Sequence, residues 1–198
     1  KKYYVDMLVD QGALFELKTE QSLHPAHKAQ TLNYLFLLNL ARAKLFTFGA
    51  ASLEHQFVST QLTTQRRQSF KIDRSRWAAT DDASKRLASL LVTLLNDWGA
   101  FLQLPLYYAA IVHFFGGEEN VIRAIPVLSE TNSVMTQKAH LINGGTAFKL
   151  TAYHEQNPLV EEHLRRFLCN TGLDVIQWVN FNGHVVEFVT LLKKDKNI

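Results

Sequence analysis

The sequence predicts a mixed α/β (α+β) fold, a mixed sheet flanked by helices and present in two copies. Three observations predict it. Short apolar runs with strand alternation are separated by Asp/Gly turns at the start of the chain. A helical stretch opened by Pro25 lies between two such runs, which suits a parallel crossover. The order strand, Pro-started helix, strand, strand then returns, with Pro158 standing 158 − 25 = 133 residues after Pro25.

Residues 1–9 and 13–19 read as two strands of a hairpin, joined by Asp10-Gln11-Gly12, residue types that favour turns. From Pro25 a helix runs with Ala29, Leu32, Leu35 and Phe36 on its apolar side and Gln30, Asn33 and Tyr34 turned away from it. Strands are expected at 43–48, ended by Gly49, and at 53–60. Residues 61–81 are sparse in apolar side chains and carry Arg66, Arg67, Lys71, Arg74 and Arg76, so they read as a basic linker with short local structure. Asp82 can cap a helix reaching Trp98, and a second helix is expected from Leu102 to Phe115, ended by Gly116-Gly117. Strands follow at 121–128, 134–141, 146–152, 174–180 and 184–192, with a helix at 158–170. In the second copy Phe148, Leu150, Leu168, Leu173 and Phe181 fall where the first has Phe15, Leu17, Leu35, Leu40 and Phe48, and Phe167 meets Tyr34.

Of 198 residues, 47% are hydrophobic and 20% charged, enough to bury a core and too few charges for a disordered chain. The net charge of +3 permits a nucleic-acid partner without requiring one. The single cysteine, Cys169, excludes an internal disulfide framework, fits a reducing, cytoplasmic compartment, and is expected to be a small buried apolar residue. The apolar run Phe101–Phe115 is too short to cross a membrane and contains Gln103, Pro105 and His113, so a buried helix is expected and no membrane partner. The chain begins at Lys1 and reads as a fragment or a processed piece.

The chemistry concentrates in the first thirty-four residues. A turn centred on Gln11 sets Asp6 opposite Glu16, and directly opposite residues have Cβ atoms roughly 4.5–5.5 Å apart. Lys18 follows Glu16 by two, so both point to one face and Leu17 to the other. Two carboxylates this close repel unless a cation lies between them, and oxygen ligands with vacant positions suit Mg²⁺. A lysine beside such a site can orient a water, which is an arrangement for cutting phosphodiesters. The second copy does not repeat it: Asp6, Glu16, Lys18 and Gln30 correspond to Ala139, Lys149, Thr151 and His163.

The stretches Tyr4–Val9, Leu14–Lys18, His27–Leu35 and Thr47-Phe48-Gly49 resemble the PD-(D/E)xK nuclease superfamily and, within it, the GxxExxY proteins. Residues 85–192 resemble a second, decayed member, in which Leu104 holds the motif's glutamate position and Tyr107 remains. The resemblance implies a restriction-endonuclease-like core, Mg²⁺ (or Mn²⁺) held by Asp6, Glu16 and the carbonyl of Leu17, and Lys18 near the attacking water. It also implies that Gln30 and Tyr34, four apart on one helical face, form the Q-x-x-x-Y element beside the site. It further implies a helix upstream of the first copy. On this reading residues 1–60 are a nuclease-like core, 61–81 a linker and 82–198 a degenerate second module.

A nucleic-acid partner is expected, DNA before RNA, with a homo-oligomer also allowed. His27, matching the family pattern near the helix start, and the basic residues Arg66, Arg67, Lys71, Arg74 and Arg76 are candidates to contact phosphates. His24 and His27 also suit a capping role, and a solvated basic linker is the simpler account of residues 66–76. Arg165 and Arg166 should pair with Glu161 and Glu162 on an exposed helical face. The rival reading is a non-catalytic nucleic-acid-binding or scaffold protein of the same fold, and a third is a partner-binding role for the Phe101–Phe115 helix.

Overall fold

The computed structural model describes residues 3–10, 12–128, 134–154 and 158–193. The chain divides into two compact units, Lys1–Gln68 and Ser69–Ile198.

In the first unit β1 (Met7–Val9) pairs antiparallel with β2 (Ala13–Lys18), Met7 opposite Phe15 and Val9 opposite Ala13. That register is centred on position 11, as the turn chemistry predicts; Gln11 itself lies outside the described residues. Asp10 takes a φ of 49°, a conformation Asp tolerates better than most residues. Helix α1 (Pro25–Leu38) has Pro25 at its first position, where a missing N–H costs nothing. It ends on Asn39, left-handed with φ 56°, whose N–H meets the carbonyls of Leu35 and Phe36. Then β3 (Arg42–Thr47) lies parallel to β2, and β4 (Glu54–Ser59) antiparallel to β3, giving a sheet of order β1-β2-β3-β4. Leu14, Tyr34, Leu35, Ala43, Leu45 and Val58 form the core between sheet and helix. On β2 the buried positions Leu14 and Glu16 share a face, and Leu17 is on the other.

The face of α1 departs from expectation. His27, Thr31, Asn33, Tyr34 and Leu35 are buried, whereas Ala29 is exposed. The last turns carry Leu32, Leu35, Phe36, Leu37 and Leu38, apolar almost all round, so spacing alone does not select a side. Leu37 and Leu38 remain 40% exposed, and the polar Gln30 and Tyr34 are turned toward the sheet rather than away from it.

Residues 61–81 are divided between the two units and carry short local structure. Helix α2 (Thr64–Gln68) closes the first unit, where the Arg67 guanidinium is buried and donates to the carbonyl of Phe36 at 3.1 Å. Strand β5 (Lys71–Arg76) belongs to the second unit, as the parallel edge partner of its last strand. Its alternation is hidden because an edge strand buries little of either face; only Ile72 is part-buried.

The second unit continues with α3 (Asp82–Trp98), α4 (Leu104–Phe114), α5 (Glu118–Val121), β6 (Ile122–Leu128), β7 (Val134–Leu141), β8 (Thr146–Thr151), α6 (Pro158–Cys169), β9 (Val175–Asn182) and β10 (Val185–Leu192). Asp81, not Asp82, caps α3, because its extended backbone lets its carboxylate accept from the Ser84 N–H at 2.7 Å. The sheet order is β5-β10-β9-β8-β7-β6. Leu168 of α6 packs with Ala147, Ile176, Trp178, Val189 and Leu191 on one face. On the other, Tyr108 of α4 donates to and accepts from the backbone of Leu150, and Gln177 reaches Ser84 of α3. Within α4, Leu106, Tyr107 and Ile111 are buried, as expected of that apolar run, although Phe114 is 50% exposed. Cys169 is exposed at the end of α6 rather than buried. Arg165 and Arg166 pair with Glu161 and Glu162 at 2.9 and 3.2 Å.

The strand pairings of the two units coincide at the 133-residue offset. Met7↔Phe15 becomes His140↔Phe148, Leu14↔Ala43 becomes Ala147↔Ile176, and Arg42↔Ser59 becomes Val175↔Leu192. Among the described residues no helix is long and apolar enough to cross a membrane.

Candidate functional site

The site lies in the first unit, where β2 ends beside α1. Pairing in the Met7↔Phe15 register carries Asp6 opposite Glu16, and the Leu17 N–H donates to Asp6 Oδ2 at 2.7 Å. This bond joins the backbone of one strand to the carboxylate that faces its neighbour. Glu16 is only 2% exposed because it shares its face with the core residue Leu14.

Lys18 Nζ donates to Glu16 Oε1 at 2.8 Å and to Gln30 Oε1 at 3.0 Å. Gln30 Nε2 in turn donates to the Tyr34 hydroxyl at 2.7 Å. A lysine has three donors, so two of them are engaged by this chain. Tyr34 is buried and meets Tyr3 edge to face, ring centres 6.1 Å apart, which fixes its ring. The structure thus brings together Asp6, Glu16, Lys18, Gln30 and Tyr34.

One polar atom of this hydrogen-bonded group is left over. Glu16 Oε2 is buried and has no hydrogen-bond partner among the described residues. Burial pushes the Glu16 carboxyl above its ordinary value; Lys18 pulls it back down, and the charge on Asp6 adds to the upward push. A buried, unpartnered carboxylate oxygen on a residue set opposite a second acid is what a hard cation would relieve. Mg²⁺ keeps several waters and is held by one or two carboxylates, so the pair Asp6 and Glu16 fits such an ion. Among the described residues there is no cluster of three or more His, Cys, Asp or Glu side chains able to hold a metal, so the remaining positions fall to water and backbone oxygen.

His27 takes a structural place. It accepts the His24 N–H at 3.2 Å on Nδ1, as part of a reciprocal helix cap, and its Nε2 lies 3.1 Å from Glu20 Oε2. The basic run is divided between the units. Arg66 is exposed and Arg67 is buried against α1 in the first. In the second, Lys71 is exposed, Arg74 lies over the Phe188 ring at 5.4 Å, and Arg76 makes a two-pronged pair with Glu161 at 2.8 and 2.9 Å. Arg67 and Arg76 are therefore committed within their own units.

The sequence reading missed Glu20, the Thr47–Glu20 hydrogen bond and the tight approach at Gly49. Thr47 Oγ1 donates to the Glu20 carbonyl, and the Phe48 N–H donates to the Lys18 carbonyl at 2.9 Å. A Cβ on Gly49 would collide with the Thr19 carbonyl oxygen, so only glycine lets the end of β3 press against the segment leaving β2. The signal available was Thr-x-Gly directly after an apolar strand. This contact fixes the end of β2, where Lys18 projects.

No curated protein and no solved structure matches the chain. Residues 1–60, which carry the whole sheet of the first unit, helix α1 and every member of the site, match the PD-(D/E)XK nuclease superfamily, whose members cut nucleic acid and typically use divalent metal ions.

Proposed function

We propose that this protein is a divalent-metal-dependent nuclease, Mg²⁺ or Mn²⁺ serving as the ion and DNA as the favoured substrate, with its chemistry in the first unit. The single observation that carries the reading is the hydrogen-bonded chain Glu16–Lys18–Gln30–Tyr34, with an unpartnered Glu16 Oε2 and Asp6 opposite Glu16 in the strand register. Asp6, Glu16 and the Leu17 carbonyl would hold the ion, which when bound supplies positive charge against the scissile phosphate and makes a water more acidic. Lys18, held from two sides, presents its remaining N–H to orient the attacking water or a phosphate oxygen. Gln30 and Tyr34 keep the ammonium in place.

The second unit is, on this reading, a degenerate copy of the first, as the coincident registers support. Ala139, Lys149, Thr151, His163 and Phe167 stand at the positions of Asp6, Glu16, Lys18, Gln30 and Tyr34. It serves as a scaffold. A non-catalytic nucleic-acid-binding role is the second reading, favoured by the lack of a third acidic or imidazole ligand among the described residues.

The test is cleavage of single- and double-stranded DNA and RNA with Mg²⁺ or Mn²⁺, against Glu16→Gln and Lys18→Met. Metal-dependent cleavage lost in both variants supports the nuclease. Salt-sensitive binding with no cleavage under any ion supports the second reading.

A further inference from the structure

The second unit has a cavity of about 550 Å³ where the first has its carboxylates. It opens because β7 pairs with β6 along its full length but with β8 only at His140 and Leu141. Before His140, β7 leaves β8, and α6 covers the gap from the other side. Ala139, Lys149, Thr151, His163 and Phe167 all line it, the residues at the positions of the first unit's site.

Its chemistry is inverted. Where Glu16 is buried, Lys149 is exposed to the cavity, which His163 and Arg166 of α6 also line. Among the described lining residues there is no carboxylate. Arg166 is paired with Glu162, whereas Lys138 and Lys149 have no ion-pair partner among the described residues. Burial, and after it the charge of Lys149, holds the nearby His140 below its ordinary value. Thr151 adds no charge: its hydroxyl donates to Asn180 and accepts from the Trp178 indole, forming a closed neutral floor.

The cavity also has an apolar side. Val160, Leu164 and Phe167 are part-buried there, and Tyr153 is 43% exposed at the rim. A volume of this size suits a drug- or nucleotide-sized molecule more than a bare ion, since ligand pockets commonly span about 300–1,000 Å³. Lysine ammoniums grip a phosphate as point charges, and an aromatic wall accepts a planar base.

We propose that this cavity binds a nucleoside monophosphate group without a divalent metal, its phosphate on Lys149 and its base against Phe167 and Tyr153. The site is separate from the proposed cleavage chemistry and rests on the second unit alone.

The test is calorimetric titration of the full chain with adenosine 5′-monophosphate in EDTA at low salt, beside adenosine and inorganic phosphate. Expected is one site for adenosine 5′-monophosphate, at least tenfold weaker in Lys149→Glu, kept in Lys149→Arg and unchanged in Glu16→Gln. Adenosine and phosphate alone should each bind at least tenfold more weakly. Lys149 is exposed, so circular dichroism should show both Lys149 variants folded. Phosphate binding as tightly as the nucleotide would overturn the nucleoside assignment. No binding at millimolar nucleotide, or binding lost in Glu16→Gln and kept in Lys149→Glu, would overturn the site.

Discussion

The Leu17 N–H and the Asp6 carboxylate meet at 2.7 Å, so the strand that carries Glu16 also holds the acid opposite it in place. Asp6 thereby has two separable roles, one as a hydrogen-bond acceptor and one as a charge. Asp6→Asn keeps an acceptor for Leu17 and removes the charge. Cleavage should fall at least about a hundredfold, the scale of losing one charged group that acts on the transition state, while the melting temperature barely moves. Asp6→Ala should lose both, with a further cost of about 1 kcal/mol for the hydrogen bond. Thermal melts beside single-turnover cleavage separate the two roles.

Glu16 makes a pH prediction of definite sign. Its carboxyl is raised by burial, so the folded chain holds this proton to higher pH than the unfolded chain does. Its contribution to stability is therefore fully present below the ordinary carboxylate value and is lost as pH rises through the raised one. Metal-free protein should lose stability across that window, and Glu16→Gln should flatten the dependence. Metal affinity should run the other way, strengthening over the same window as the proton leaves. Denaturant titrations at stepped pH, with and without Mg²⁺, check both; a metal-free stability that rises through the window would refute the assignment.

The chain Lys18–Gln30–Tyr34 predicts a graded series. Lys18→Met removes the group facing the reaction and should cost at least about a hundredfold in kcat. Gln30→Ala frees the ammonium and should cost about tenfold, and Tyr34→Phe, one bond further away, only a few-fold. The Gln30→Ala/Tyr34→Phe double variant should resemble Gln30→Ala alone, because both act through Lys18. Additive losses would show that Tyr34 acts separately from Lys18.

Gly49→Ala should be among the most damaging small changes in the first unit. The added Cβ would run into the carbonyl oxygens of Thr19 and Glu20, and backbone yields little. A loss of about 1–3 kcal/mol is expected from overpacking, with cleavage reduced as the end of β2 shifts. Urea unfolding gives the stability. A neutral effect would mean that the end of β3 is not tied to β2 as described.

Much of the site was legible in the sequence because it rests on strand arithmetic. A turn centred at 11 fixes Asp6 against Glu16, and alternation puts Lys18 beside Glu16; both rules are local. The side of α1 that carries Gln30 and Tyr34 was not legible. Its apolar residues wrap almost the whole surface of the last turns, and what selects the buried side is the pull of Leu14, Ala43 and Leu45 from the sheet, a tertiary effect. Strand β5 escaped for a related reason: its pairing with β10 joins residues far apart in the chain and leaves little apolar pattern. Gly49 was legible as the end of its strand, but its close approach to the backbone of Thr19 and Glu20 is a tertiary contact.

The coincident registers make the second unit a ready-made acceptor for a transplant. Since every corresponding pair of strands keeps its spacing at an offset of 133, no loop would need lengthening to move the first site across. Ala139→Asp, Lys149→Glu, Thr151→Lys, His163→Gln and Phe167→Tyr would together write it there residue for residue. The hindrance would come from beneath: Thr151 is the hub of the Asn180 and Trp178 hydrogen bonds, and a lysine there would break both. An engineer seeking a two-headed enzyme from this chain would have to redesign that floor before the rim.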